Sequence, residues 1–327
     1  MTEGITPSLD ELVALRRAVM GRRPPKRGRH GLSGPAPSPM RGRGMEYAES
    51  REYANGDDAR HIDWRLTART GRPHTKLFQA ERERLTLIVA DTAPALYFGT
   101  RTRFKSVQAA RAGAIAAWAA VRDGDRIGAL RGSLREPPIA PASGSRGALR
   151  VLDAMVRWYA QPPEHDAGLA VALDHADRLL RPGSRLVVMA DPLSVIALPA
   201  SRWPMLVQHR EVIVLLMTDP LEREPPRATL PFFIQRNVVS NSPKSSGTPS
   251  SGPPSSSPTS SSIPWSTQRI ELDLSGAAQR QRWQTAFAAP LDEVLATLAR
   301  SGIRARALST DAPSESWLDL FAGTRAA

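Results

Sequence analysis

The chain has 327 residues, 44 Lys and Arg against 32 Asp and Glu, a formal charge of +12, and no cysteine. That length suits one large domain or two modest ones, and 41% hydrophobic residues exclude a wholly disordered chain. The missing thiol excludes disulfides, thiolate zinc sites, iron–sulfur clusters and a cysteine nucleophile together. No apolar run approaches the roughly 18 residues of a membrane span. Met1–Asp10 carries acids and no apolar stretch, so it does not read as a secretory signal, and a cytoplasmic protein is expected.

In chain order, Leu9, Leu12, Val13, Leu15 and Val19 recur at three- and four-residue spacing behind Ser8, which predicts a short amphipathic helix over 8–20. Residues 21–40 are rich in Pro, Gly and Arg and offer little to bury, so 1–40 reads as a basic helix plus a flexible arm. Nine basic residues and no acid lie between Leu12 and Met45, which places +9 of the +12 here and leaves the body nearly neutral. Residues 41–84 are polar with scattered anchors, and suggest a β-rich segment of short strands and turns.

The text then changes character. Residues 85–90 (LTLIVA), 186–190 (LVVMA) and 211–217 (EVIVLLM) are apolar runs, the first two closed by Asp91 and Asp191, as buried parallel strands would be. Residues 126–130 and 303–308 predict two more strands, and helical spacing marks 105–121, 146–159, 168–180, 201–209 and 277–300. Strands alternating with helices predict a doubly wound, mainly parallel α/β sheet. Residues 240–264 contain 12 Ser and 6 Pro among 25 residues, too polar to offset their ordering entropy. They are expected to be a disordered loop at the tip of a hairpin formed by the strand-like text on either side, 232–239 and 269–274. The expected domain divisions are thus 1–40, 41–84 and 85–323, the last containing that loop.

Catalytic signatures are missing: the chain has no Walker A loop, HExxH or GxSxG. Six His are dispersed, and His61-x-Asp63 reads either as a metal pair or as alternate strand residues. Asp91 and Asp191 sit where ligands bind in open α/β sheets, and two such carboxylates suit Mg²⁺. They equally suit capping of the turn or helix that follows. Between Arg51 and Arg69, the bases Arg51, Arg60, Arg65 and Arg69 alternate with Glu52, Asp57, Asp58 and Asp63 around the turn signal Asn55-Gly56-Asp57. Composition favours an ion-pair lattice over a binding surface, because Arg forks match carboxylates.

The same segment carries a resemblance. Gly42-Arg43-Gly44-Met45-Glu46-Tyr47 is followed by Arg51-x-Tyr53-x-x-Gly56-Asp57-Asp58-x-Arg60-x-Ile62-Asp63-Trp64-Arg65 and Ala68-Arg69. Lys105, Gly124-Asp125-Arg126-x-Gly128, Asp219-Pro220-x-Glu222 and Gly302-Ile303 leading to Ser309-Thr310 continue the pattern. Together they resemble the domain-of-unknown-function-58 family over about residues 9–323. The resemblance implies a von Willebrand factor A-like domain behind a small β-rich extension. It also implies action beside a MoxR-type AAA+ ATPase in assembling or activating client proteins, with no established enzymatic activity.

A metal-binding von Willebrand A domain has Asp-x-Ser-x-Ser after its first strand, whereas this chain reads Asp91-Thr92-Ala93-Pro94-Ala95. The Thr of the second metal loop is replaced by Asp166-Ala167-Gly168, while Asp191 matches the third. The metal site is therefore expected to be degenerate at Asp91, Ala93, Ala95 and Asp191, with no cofactor. The expected function is a non-enzymatic adaptor whose partner surface includes Arg51, Tyr53, Gly56, Asp57, Asp58, Arg60, Asp63, Trp64, Arg65 and Arg69. Nucleic-acid or anionic-surface binding through the basic arm is the alternative. Behind it come a divalent-metal adhesion module and a hydrolase on Asp91 and Asp191, which lacks a visible nucleophile–base pair.

Overall fold

A computed structural model describes residues 4–21, 45–80, 84–163, 165–237 and 265–321. The flexible arm expected over 21–40, beyond Gly21, and the Ser/Pro-rich loop at 240–264 lie outside the described residues. Two units are distinct, Met1–Asp219 with Pro290–Ala327, and Pro220–Ala289.

In the larger unit the predicted first helix is two, α1 (Leu9–Ala14) and α2 (Arg16–Met20), meeting at Leu15. Ser8 caps α1 by accepting the Glu11 N–H at 3.3 Å. Strand β1 (Met45–Glu52) pairs antiparallel with β2 (His74–Ala80), and α3 (Trp64–Thr70) lies between them in sequence. Helix α3 was not expected, because its seven residues have no apolar stripe. It forms on its ends: Asp63 accepts the Leu66 N–H at 3.1 Å, and Gly71 closes it in the left-handed region at φ 72°.

The central sheet comes next, with β3 (Leu85–Ala90), α4 (Lys105–Arg122), β4 (Arg126–Arg131), β5 (Ile139–Ala142), α5 (Gly144–Tyr159) and α6 (Gly168–Leu179). Then follow β6 (Arg185–Ala190), α7 (Pro192–Ile196), α8 (Arg202–Val207) and β7 (Glu211–Thr218). In the smaller unit α9 (Pro220–Arg223) precedes the antiparallel pair β8 (Thr229–Asn237) and β9 (Trp265–Asp273), whose ladder runs to Asn237 opposite Trp265. Trp283 there donates its indole N–H to the Leu221 carbonyl at 2.9 Å and lies 4.5 Å, centroid to centroid, from Phe287. Helix α10 (Ala277–Arg300) contains Pro290, where the units divide, and β10 (Arg304–Ser309) ends the set.

The six strands are ordered β10-β7-β6-β3-β4-β5, all parallel except the short antiparallel edge β5, which its Pro141 hid from the sequence pattern. Both faces are covered. Ile88, Val187, Met189, Ile213 and Leu215 face a core shared with α1, α4 and α5, whereas Leu87, Val89, Val188, Val214 and Leu216 join α6, α8 and the second half of α10. Helix α4 is buried almost all round, and its alanines and Gly113 let it lie close to the sheet. Among the described residues no helix is long and apolar enough to cross a membrane.

Charged residues tie together the N-terminal ends of the strands. Arg185, 3% exposed, donates through Nε to Glu211 at 2.7 Å, and its guanidinium carbon lies 3.7 Å from the Phe321 ring centroid. Glu211 also takes Arg84 and Arg304, and fully buried Asp125 accepts Thr86 Oγ1 at 2.8 Å and Arg84 Nε at 3.0 Å. Burial, then the neighbouring Arg84, pulls the Arg185 guanidinium down to about 10. Replacing Arg185 with Ala strips Glu211 and Asp125 of a buried cation. We expect a loss of about 3–5 kcal/mol in urea unfolding; a loss below about 1 kcal/mol would show the network to be dispensable.

Candidate functional site

Three neighbouring central strands end in buried aspartates: Asp91 after β3, Asp191 after β6 and Asp219 after β7. This is the crevice position of a doubly wound sheet. Its carboxylates are bound internally. Asp91 accepts the Ala93 N–H through Oδ1 and the Asp191 N–H through Oδ2, both at 3.0 Å, and Tyr159 donates its hydroxyl to the Asp91 carbonyl at 2.9 Å. Asp191 caps α7 by accepting the Leu193 N–H through Oδ1 at 2.9 Å. Its Oδ2 meets the Lys105 ammonium at 2.7 Å. Asp219 accepts the Thr100 hydroxyl at 2.6 Å, the Thr100 N–H at 3.0 Å and the Thr310 hydroxyl at 2.7 Å.

The pairing of Lys105 is the feature that sequence reasoning missed. Lys105 opens α4, is 1% exposed, and reaches Asp191 across 86 residues of chain. The sequence held one signal, a lysine at the start of an alanine-rich helix, where a cation normally disfavours the helix N-terminus. With Lys105 in place, a divalent ion of the kind the resemblance raised does not suit this donor set. Ala93 and Ala95 offer methyls, Asp166 is engaged by the Gly168 N–H at 2.9 Å, and both Asp191 oxygens are occupied. Among the described residues no group of three or more His, Asp or Glu is placed to hold a metal.

The Arg51–Arg69 segment departs from the expected lattice. Arg51 pairs with Asp57 at 2.6 Å, but Glu52 turns instead to Arg72 at 3.1 Å. The other acids shape the backbone. Asp57 also accepts the Ala54 N–H, Asp58 the Arg60 N–H, and Asp63 caps α3 while taking the Ser50 hydroxyl at 3.0 Å. Gly56 supplies φ 108° for the turn, and Tyr53 donates its N–H to the Pro73 carbonyl at 2.9 Å. With the acids used locally, Arg60, Arg65 and Arg69 are exposed and enter no ion pair among the described residues. Trp64 is 70% exposed beside them. His61 and Asp63 are not alternate strand residues: one lies in a short 3₁₀ turn and the other at the N-cap of α3.

A doubly wound α/β protein emerges, with a strand-end crevice closed by its own ion pair and a separate exposed patch of Trp and Arg. The family model described as "Protein of unknown function DUF58" matches residues 49–231, and the chain belongs to that family. The match takes in the exposed patch, Asp91, Lys105, Asp191 and Asp219. Uncharacterized proteins of Mycobacterium bovis and Mycobacterium tuberculosis are 34% identical over 189 residues, which is 57% of this chain and 58% of each relative.

Two outcomes follow from the crevice. Lys105→Ala leaves the Asp191 carboxylate buried without this cation, and thermal or urea unfolding is expected to show a loss of about 3–5 kcal/mol; an unchanged midpoint would remove the pair from the stability of the fold. Burial pushes the Asp91 carboxyl up to about 6, against the opposing donors Ser194, Asp191 N–H and Ala93 N–H. The folded-state value exceeds the ordinary 3.8, so this group's contribution to stability is full below 3.8 and is lost as pH rises through about 6. The carbon-13 shift of its carboxyl should titrate near 6, and a midpoint below 4 would contradict the assignment.

Proposed function

We propose that this chain is a non-enzymatic protein-binding module on a von Willebrand A-like scaffold, acting with a MoxR-type AAA+ ATPase in the assembly or activation of client proteins. The observation that carries the binding role is the patch on α3 and the turn before it. Trp64 stands exposed with Arg60, Arg65 and Arg69, which enter no ion pair among the described residues, on a backbone that Asp58 and Asp63 hold in place. Trp and Arg are the side chains that most often dominate protein interfaces, because they bury large area and offer directional donors. The crevice supports the same reading, since its carboxylates are occupied by internal donors and leave no nucleophile–base pair. The ATPase as partner comes from the family resemblance.

The test is retention of a MoxR-type ATPase by the immobilised full chain, in ATP and in ADP. Retention in at least one nucleotide state is expected, and it should survive EDTA. Trp64→Ala and the pair Arg65→Glu with Arg69→Glu should each weaken it by about tenfold or more, the effect of losing one strong interface residue. Retention in neither state would overturn the partnership, and full retention by both variants would move the interface elsewhere.

A further inference from the structure

We infer that Lys105 is the resident cation of the crevice: its ammonium holds the Asp191 carboxylate as a bound divalent ion would, and so closes a latent cation site. Three observations and one principle converge on this. The ammonium and carboxylate are 2.7 Å apart, and the two residues are 1% and 2% exposed. Asp191 reaches Asp91 through its own N–H, so the cation anchors the ends of both β6 and β3. Burying a charged carboxylate is costly, and a cation paired with it offsets that cost. Finally, Thr92 and Ser106, each adjacent in sequence to one of these groups, bury hydroxyl oxygens that have no hydrogen-bond partner.

With the ammonium removed, the freed Asp191 oxygen is the kind of ligand a hard divalent cation prefers. In the native chain the lysine competes with it from within, at an effective concentration no free ion matches. The crevice is therefore permanently loaded, and cation concentration does not regulate it. The proposal rests on the crevice alone; loss of the ATPase partnership would leave it untouched.

The experiment uses the full chain, with Mn²⁺ and Mg²⁺ as probes, read by calorimetric titration and thermal unfolding. The native protein is expected to show no saturable Mn²⁺ binding and no shift in Tm between EDTA and about 1 mM Mn²⁺, roughly a hundred times the Kd of a working site. Lys105→Ala and Lys105→Ser should acquire saturable Mn²⁺ binding, with Tm raised by about 5 °C or more. Adding Asp191→Asn should abolish that gain. If neither single variant folds in EDTA, recovery of folded protein on refolding with Mn²⁺ supports the inference and failure to recover it overturns it. Saturable binding by the native chain that Asp191→Asn removes would overturn it, as would folded single variants indifferent to Mn²⁺.

Discussion

The Lys105–Asp191 pair is the constraint around which the upper end of the sheet is organised. A carboxylate and an ammonium taken out of water lose several kcal/mol each in solvation, and only close approach with the remaining lone pairs satisfied can compensate. Here those conditions are met by separate elements. Helix α4 supplies the ammonium, the first turn of α7 supplies an N–H to the other oxygen, and the Asp191 N–H passes on to Asp91. One residue thus joins a helix start, a strand end and the neighbouring loop. Moving any of them would strand a charge in an apolar interior.

The opposite end of the sheet solves a similar problem with different chemistry. Arg84, Arg185 and Arg304 converge on Glu211, with Asp125 beneath Thr86, so several forks share each carboxylate. The planar guanidinium of Arg185 also covers the Phe321 ring, which an ammonium does less well. Between the two charged ends the strands are purely apolar on both faces. The sheet is consequently held at its ends by directional contacts and in its middle by area burial. The exposed pairs elsewhere, such as Arg269–Glu271, add little because water screens them.

Much of this frame was legible in the sequence, and the illegible parts share a cause. Residues 87–90, 186–190 and 212–217 are apolar without interruption, as strands covered on both faces require, and each lies in a strand. The helix read at 277–300 has those bounds. Helix α3 and strand β5 escaped because neither displays a period: one rests on its caps, the other is a four-residue edge containing proline. In the crevice, Asp91 and Asp191 were visible as strand-end acids, but their partner was not. The Lys105 contact spans 86 residues, and no local spacing encodes it.

The misreading of the Arg51–Arg69 segment follows from the same limit. Composition sees alternating charges and pairs them, although the cheapest use of a short acidic side chain is often its own backbone. Asp58 and Asp63 accept N–H groups two and three residues on, and so build the 3₁₀ turn and α3. Ser50 and the Asp63 N–H bond to the His74 carbonyl fix that turn against β1 and β2. With these acids turned to the backbone, Arg60, Arg65 and Arg69 enter no ion pair among the described residues, so local folding and surface presentation go together. Trp64, the first residue after the cap, is held outward on a rigid turn at no cost to the core. A segment that kept its charges paired would be a brace; spending its acids on the backbone leaves its arginines exposed beside Trp64.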